Sequence, residues 1–249
     1  MLRRFLEAAT RSWTFKRSLR VGDRTVRMVV SPCGGLRFLF WPLAKVDPLL
    51  VRLAEQYVPR SGVVWDVGAN LGLFAFSAAA VAGPLGQVFA FEPDPWLIQA
   101  MRKSARIQAG EAAPVTVVPV AVAATTAPRR FLIAKRSRAA SHLAGYGSTQ
   151  TGGTAEEHVV VAVSLDWALD FFPPPRLLKI DVEAAELEVL QGAERLIRQH
   201  RPIILCEVSE QAADQVTAIL KANGYALTDG ETGNTTDRAA WSTIAIPSS

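Results

Sequence analysis

The sequence contains little cysteine. Only Cys33 and Cys206 occur in 249 residues, and their spacing matches no metal-binding motif. Two cysteines so far apart do not form the disulfide framework of small secreted proteins. We therefore expect two buried thiols in a reducing compartment, and we predict no metal site.

The sequence also lacks any segment that predicts export or membrane insertion. Arg3 and Arg4 are followed neither by an apolar core of signal-peptide length nor by a small-residue cleavage site. The most apolar window, residues 71–85, is too short to span a bilayer and is interrupted by Gly83 and Pro84. We expect a soluble, cytoplasmic protein.

Internal repeats and long low-complexity segments are absent as well, and a composition of 49% hydrophobic and 20% charged residues predicts a packed globule. Asp47 is suited to cap a helix that has Pro48 in its first turn. We expect residues 1–60 to form an extension packed on a main domain of residues 61–249. Its predicted elements are a helix at 2–9, a hairpin at 18–30, a strand at 36–41 and a helix at 46–57.

From residue 63 onward, predicted strands and helices alternate. The strands are at 63–67, 87–91, 115–122, 176–181, 202–207, 225–228 and 241–247, and the helices are at 71–82, 95–108, 185–199 and 210–222. This alternation predicts an α/β fold with a mostly parallel sheet covered by helices on both faces. The irregular, glycine-rich residues 123–157 interrupt it, and we expect them to form a lid-like insertion.

Positive charge is unevenly distributed in the sequence. Residues 1–30 contain eight Arg and Lys against two acidic residues, and no acidic residue lies between Arg129 and Arg138, where five residues are basic. Such clusters attract anionic partners, although ordinary solvated charge explains them equally. They suggest an anionic acceptor. Residues 1–19 can lie on an anionic membrane surface or cap the protein's own core.

The segment DVGANLG follows a short apolar run and precedes a helical pattern. Asp66 lies at the predicted strand end, Gly68 allows a tight turn, and Gly72 allows the next helix to approach closely. A dinucleotide site needs a second glycine where Asn70 stands, and a P-loop needs a Gly-Lys-Ser/Thr sequence that is missing here. The turn therefore favours a ligand without a pyrophosphate, or no ligand at all.

The segment FEPDP ends the second predicted strand with an acidic residue. Glu92 is placed to accept hydrogen bonds from both hydroxyl groups of a ribose. Pro93 and Trp96 can flank an adenine ring, and Asp66 suits a positively charged amino-acid tail. S-adenosylmethionine combines these features, so we predict it as the cofactor.

A second motif, RLLKIDVEAAELEVLQGA, begins as a strand and continues as a helix. Lys179 and Asp181 alternate with apolar residues and so share one face near the strand's carboxyl end. Together with DVGANLG, FEPDP, VPVAVA and RPIILCEV, this motif resembles the FkbM family of S-adenosylmethionine-dependent methyltransferases. The matching blocks lie in the family's order over residues 63–208.

This resemblance implies a Rossmann-like class I methyltransferase fold with a seven-stranded sheet and a reversed last strand. Residues that match its cofactor turn, ribose-binding acid and adenine border are Asp66, Gly68, Asn70, Gly72, Glu92 and Ala121. Asp181 and Glu183 match the acidic pair at the end of its fourth strand. Ala184 departs from the family, which has glycine there.

The resemblance implies O-methylation of a hydroxyl group on a sugar, glycolipid or secondary metabolite. Asp181 is our first candidate for the general base and His142 the second, while Glu207 is a candidate for lining the acceptor pocket. An RNA-modifying enzyme and a non-catalytic scaffold on the same fold are the alternatives. No recognisable RNA-binding module is present, so we do not expect a nucleic-acid partner. The sequence does not predict the oligomeric state.

Overall fold

The computed structural model describes residues 13–32, 35, 37–147 and 152–248. Its strands are β1 (Phe15–Val21), β2 (Arg24–Val30), β3 (Val63–Val67), β4 (Gln87–Phe91), β5 (Val115–Val118), β6 (Ala121–Val122), β7 (Ala127–Ala134), β8 (His142–Leu143), β9 (Thr154–Val163), β10 (Leu177–Ile180), β11 (Ile203–Glu207), β12 (Tyr225–Asp229), β13 (Thr235–Thr236) and β14 (Ser242–Pro247). Its α-helices are α1 (Arg37–Phe40), α2 (Pro48–Tyr57), α3 (Leu73–Ala82), α4 (Pro95–Arg106), α5 (Leu165–Ala168), α6 (Glu186–Gln191), α7 (Glu194–His200) and α8 (Ala213–Ala222).

The main sheet has the strand order β13-β12-β14-β11-β10-β3-β4-β5. The neighbours β11-β10, β10-β3, β3-β4 and β4-β5 are parallel, while β14 runs antiparallel to both β11 and β12. The predicted fold with a reversed last strand is therefore confirmed. The sheet has eight strands rather than seven because the two-residue strand β13 adds an edge beside β12.

Helices cover both faces of this sheet and bury two apolar cores. On one face, α3 is apolar along nearly its whole length and packs with α2 and α4. On the other face, α6, α7 and α8 cover β10 and β11. Strands that are buried on both faces are mostly apolar. All four residues of β10 are buried, and Lys179 is the one charged residue among them.

The N-terminal elements pack on the first of these cores. The predicted hairpin is present as β1 and β2, and the Val29 amide donates to the Ser104 hydroxyl of α4 at 2.8 Å. The predicted helix begins at Pro48, and the Asp47 carboxylate accepts from the Leu50 amide at 3.1 Å as its N-cap. The predicted helix at 2–9 lies outside the described residues.

The strand predicted at residues 36–41 is wrong, because residues 37–40 form the single helical turn α1. The Trp41 amide donates to the Arg37 carbonyl at 3.0 Å, which closes this turn. Phe38 is buried whereas Phe40 is exposed. In a strand these two residues would share one face, so their opposite environments fit a turn and not a pleated strand.

The insertion is regular, in contrast to the irregular segment that the sequence suggested. The strand predicted at 115–122 divides at Pro119, which has no amide hydrogen to continue a ladder. Beyond it, β6 joins a second sheet of order β6-β9-β7-β8, in which the long antiparallel pair β7-β9 supplies most of the pairing. The described residues of 123–157 thus form mainly the antiparallel pair β7-β9, with the short strand β8 beside β7.

The helix predicted at 185–199 consists of two helices, α6 and α7. The helix is interrupted at Gly192, which lies so close to the backbone oxygen of Ala123 that any Cβ would overlap it. Cys206 is buried, as predicted, while Cys33 lies outside the described residues. Within the described ranges, no helix has the length and apolar character needed to cross a bilayer.

Candidate cofactor and acceptor site

A cavity, here called the inner cavity, opens beyond the carboxyl ends of β3, β4 and β10. This is the edge of an open parallel sheet where ligands bind. It is lined by Gly68, Asn70, Phe91, Glu92, Pro93, Leu97, Val120, Ala121, Val122, Phe131, Arg138, Ala139, Ser141, Leu143, Asp181, Val182 and Glu183.

The glycine turn after β3 fits closely against the end of β10. Gly68 has φ +75°, and a Cβ at this position would overlap the backbone oxygen of Asp181. Its amide donates to the Phe91 carbonyl at 3.0 Å, which ties the turn to β4. Asn70 follows with φ +53°, a conformation that asparagine tolerates better than most residues. Because it has no side chain, Gly68 allows the ends of β3 and β10 to lie against each other.

Glu92 forms the floor of the inner cavity. Its two carboxylate oxygens accept hydrogen bonds from the Asn70 amide at 2.8 Å and the Asp94 amide at 2.9 Å. Burial raises the pKa of Glu92 to about 8. In the ionised form each oxygen keeps a second lone pair, so Glu92 can then also accept from the hydroxyl groups of a ligand.

Lys179 lies between two carboxylates at the centre of the sheet. Its Nζ is 3.2 Å from Oδ1 of Asp66 and 3.3 Å from Oδ2 of Asp181, and it donates to the Gly68 carbonyl at 3.0 Å. Burial alone would lower the pKa of Lys179, but the charges of Asp181 and Asp66 outweigh it and raise that pKa. The ammonium group therefore links the glycine turn to Asp181.

The loop after β10 adopts a left-handed conformation at two consecutive residues. Glu183 has φ +58° and Ala184 has φ +76°. Oε1 of Glu186 accepts from the Val182 and Ala184 amides at 3.2 and 3.1 Å and holds this loop. A side chain at φ +76° is strained, so Ala184 occupies a position that suits glycine.

Two open clefts meet the inner cavity at Asp181 and Glu183. The first, here called the N-terminal cleft, is lined by residues that include Arg37, Phe38, Asp47, Gly68, Asn70, Arg136, Lys179 and Glu207. The second, here called the Trp241 cleft, is lined by Gly145, Tyr146, Gly147, Asp181, Glu183, Ala184, Glu186, Leu187, Glu207, Ser209, Gln211, Ala212, Gln215 and Trp241. Asp181 and Glu183 thus line all three spaces.

The insertion of residues 123–157 contributes one wall of the inner cavity. Phe131, Ser141 and Leu143 line it, and Nη1 of Arg138 donates to Oδ1 and Oδ2 of Asp94 at 2.8 and 2.6 Å. Sequence reasoning did not identify these residues. Alternation in β7 is the only sequence signal for Phe131, and nothing in the sequence connects Arg138 with Asp94.

The structure brings most of the predicted site residues to the inner cavity. Those that line it are Gly68, Asn70, Glu92, Pro93, Ala121 and Asp181. Asp66 and Gly72 lie behind the cavity wall: Asp66 is fully buried beside Lys179, and a Cβ on Gly72 would crowd the ring of Phe76. Neither residue is among those that line this space.

His142 and Trp96, in contrast, do not line this cavity in the described part of the chain. Because residues alternate in β8, Leu143 faces the cavity and the ring of His142 turns away. Nδ1 of His142 is 3.0 Å from the Ala140 carbonyl oxygen, and Gly147 packs against the ring. Trp96 instead lies beneath the guanidinium of Arg138, 5.9 Å from ring centre to Cζ.

Two buried polar atoms at the inner cavity have no partner in the described structure. Asn70 Oδ1 is a hydrogen-bond acceptor, and Arg138 Nε is a donor. Together with Glu92 and the apolar lining from Phe91 and Leu97, they fit an adenosine, which carries both hydroxyl donors and ring-nitrogen acceptors. The residues present therefore fit S-adenosylmethionine.

Comparison with known proteins agrees with this geometry. The family model of the methyltransferase FkbM domain matches residues 66–227. Hexuronic acid methyltransferase AglP of Haloferax volcanii is 27% identical over 158 residues, which cover 63% of this chain and 60% of that protein. The match thus spans about three-fifths of that relative's length.

Two solved structures illustrate the similarity in three dimensions. Methyltransferase FkbM from Methylobacillus flagellatus is 17% identical with a TM-score of 0.48, covering 78% of this chain and 49% of that one. Aeropyrum pernix fibrillarin, solved with bound S-adenosyl-L-methionine, is 13% identical with a TM-score of 0.49, covering 93% of this chain and 82% of that one. The family match itself extends over more than half of the 249 residues. The chain therefore belongs to the FkbM family of S-adenosylmethionine-dependent methyltransferases, as its ordered motifs predicted.

Proposed function

We propose that this protein transfers a methyl group from S-adenosylmethionine to a hydroxyl group of a sugar, with Asp181 as the general base. One observation carries the proposal: Asp181 lines the inner cavity and also both clefts, as Glu183 does, and its carboxylate is in addition held by the ammonium of Lys179. A base for this reaction must reach the acceptor hydroxyl while the acceptor faces the methyl donor. The similarity to a hexuronic acid methyltransferase supports a sugar as the acceptor class.

When bound, S-adenosylmethionine supplies a methyl group on a positively charged sulfur, which leaves as a neutral thioether. The protein's own residues provide position and proton transfer. Glu92 and Asn70 would hold the hydroxyl groups of the ribose, Gly68 would leave room for the ligand at the turn, and the insertion would shield it from water. Positioning of this kind contributes roughly 7–11 kcal/mol to a bimolecular reaction.

Asp181 accepts the proton of the acceptor hydroxyl as that oxygen bonds to the methyl carbon. The ion pair with Lys179, 3.3 Å away, fixes the direction of its carboxylate. His142, the other candidate from the sequence, faces away from the cavity and is not part of this mechanism. Glu207 lines both clefts, in keeping with its expected place near the acceptor.

The basic cluster gives less support to an anionic acceptor than the sequence suggested. Arg129 is paired with Glu188, Arg130 with Glu157 and Arg138 with Asp94. The acidic partners lie elsewhere in the chain, so the charge of these three residues is largely compensated. Whether the acceptor sugar is charged or uncharged therefore depends on the side chains that line the two clefts.

The test is to incubate the protein with isotope-labelled S-adenosylmethionine and a panel of oligosaccharides, glycolipids and RNA, and to identify labelled products by mass spectrometry. Label on a sugar oxygen is expected. Label in RNA would favour the RNA-modifying alternative, and cofactor binding without any product would favour the scaffold. Calorimetry with S-adenosylhomocysteine on the same preparation reports the cofactor site independently.

A further inference from the structure

Trp241 presents an indole at the mouth of the Trp241 cleft. This residue is 61% exposed. Its backbone is nevertheless fixed, because the Val208 amide donates to the Trp241 carbonyl at 2.8 Å and β14 begins at the next residue. A Trp side chain on a fixed backbone loses little entropy when a ligand packs against it, because it has only two side-chain torsions to restrict.

Polar side chains surround this indole and have room for further hydrogen bonds. Ser209, Gln211 and Gln215 line the cleft beside Trp241, and both glutamines are exposed. Tyr146 reaches the same cleft from the insertion, with its hydroxyl held by Glu188. An aromatic face with amides and hydroxyls at its edge matches a pyranose ring, which has an apolar C–H face and an equatorial rim of hydroxyl groups.

The charge of the cleft disfavours acidic sugars. Four carboxyl groups line it, from Asp181, Glu183, Glu186 and Glu207, and no basic side chain of the described residues does. Burial raises the pKa of Glu183 to about 7 and that of Glu207 to about 8, because negative charge is poorly solvated in this space. A uronate carboxylate would meet repulsion here, whereas sugar hydroxyls can donate to these acceptors.

The Trp241 cleft also adjoins the inner cavity, because the two spaces share lining residues. Asp181 and Glu183 belong to its lining and to that of the inner cavity, and Glu207 lies opposite Ser242, the residue after Trp241, in the pair β11-β14. A sugar packed on Trp241 therefore lies in the space that Asp181 borders. The N-terminal cleft is different, because it adjoins the glycine turn and contains Arg37 and Arg136.

We infer that the Trp241 cleft is the acceptor subsite and that it takes an uncharged pyranose, packed on the indole of Trp241 with its hydroxyl groups toward Gln211, Gln215 and the acidic loop. This inference rests on the proposed function for its chemical context. It departs from the substrate named for the Haloferax relative, which is an acidic sugar.

The experiment compares two probes that differ in one group, methyl α-D-glucopyranoside and methyl α-D-glucopyranosiduronate. Binding of each to the protein with S-adenosylhomocysteine is measured by saturation-transfer difference NMR. We expect the uncharged glycoside to bind better, and Trp241→Ala to weaken its binding by about tenfold, the effect of losing ~1.4 kcal/mol of contact. Trp241→Phe should retain most of the binding.

Trp167→Ala is the matched control, since Trp167 is exposed on α5 and stacks on Phe171 away from all three cavities. Gln215→Lys is a second variant on an exposed helical position, and it should shift the preference toward the uronide. Stronger binding of the uronide by the wild type, no signal from either probe, or equal effects of Trp241→Ala and Trp167→Ala would overturn the inference. Calorimetry with S-adenosylhomocysteine and the product analysis test the proposed function separately, so either idea can fail alone.

Discussion

Arg138 in the insertion donates two hydrogen bonds to the fully buried carboxylate of Asp94, the N-cap of α4. Asp94 lies two residues after Glu92, and the Arg138 side chain is only 11% exposed. The pair therefore fastens the insertion to the loop that carries Glu92, for which we propose a contact with the ribose. Because both groups are buried, removal of one leaves the other without its partner.

Replacement of Arg138 should loosen the attachment of the insertion, whose residues line one side of the inner cavity. We expect Arg138→Gln to weaken S-adenosylhomocysteine binding by roughly 10–100-fold, since loss of one member of a buried pair costs several kcal/mol, part of which appears as destabilisation. Isothermal titration calorimetry measures the affinity. Arg130→Gln, which removes the exposed pair with Glu157, should leave it unchanged. Equal affinities of the two variants would show that the insertion does not retain the cofactor.

Gly68 is expected to tolerate no side chain. Gly68→Ala adds a methyl group that overlaps the backbone oxygen of Asp181, at a φ of +75°. We expect a loss of about 2–5 kcal/mol in the free energy of unfolding, from backbone strain plus overpacking. Gly22→Ala is the control, because Gly22 has φ +55° with nothing within 4 Å of an added Cβ. Urea denaturation should show a loss of only about 1–2 kcal/mol there.

Removal of the carboxylate at Asp181 should slow methyl transfer without abolishing cofactor binding. We expect Asp181→Asn to reduce kcat roughly 10²–10⁴-fold, the usual contribution of a general base. Binding of S-adenosylhomocysteine should change little, because Glu92, Asn70 and the apolar lining are untouched. Glu111→Gln, at an exposed turn position, is the control. Unchanged turnover in Asp181→Asn would contradict the assignment of the base.

Glu183 should make stability depend on pH. Burial, followed by the charge of Asp181, raises its pKa from 4.5 to about 7 in the folded protein. Between these two pH values the folded state holds a proton that the unfolded state has released, so the free energy of unfolding falls as pH rises. Glu183→Gln carries no charge at any pH and should flatten this decline, which thermal melts from pH 4.5 to 8 can measure. The same melts on Glu111→Gln should keep the wild-type slope.

Ala184 offers a stabilising substitution. Its φ of +76° lies in the left-handed region, where a Cβ costs roughly 1–2 kcal/mol. Ala184→Gly should therefore raise the free energy of unfolding by up to about 1 kcal/mol after the entropy gained by the unfolded chain is subtracted. Ala218→Gly, on the exposed face of α8, should lower it by about 1 kcal/mol. Denaturant midpoints of the two variants should move in opposite directions.

Local sequence patterns were enough to predict the central unit of this protein. The strand β3, the helix start at Asp47 and the ordered motifs around Gly68 and Glu92 all depend on residues close together in the chain. Apolar periodicity and capping act over a few residues, so the sequence alone determined the α/β alternation and the family.

The tertiary structure decided what depends on distant residues. The pair of Arg138 with Asp94 joins positions 44 apart, the helical turn at 37–40 replaced a predicted strand, and the ring of His142 turned away from the site. The meeting of three cavities at Asp181 likewise follows from strand order. Such contacts arise only when sheet packing brings side chains together, and no short sequence pattern encodes which distant side chains will face one another.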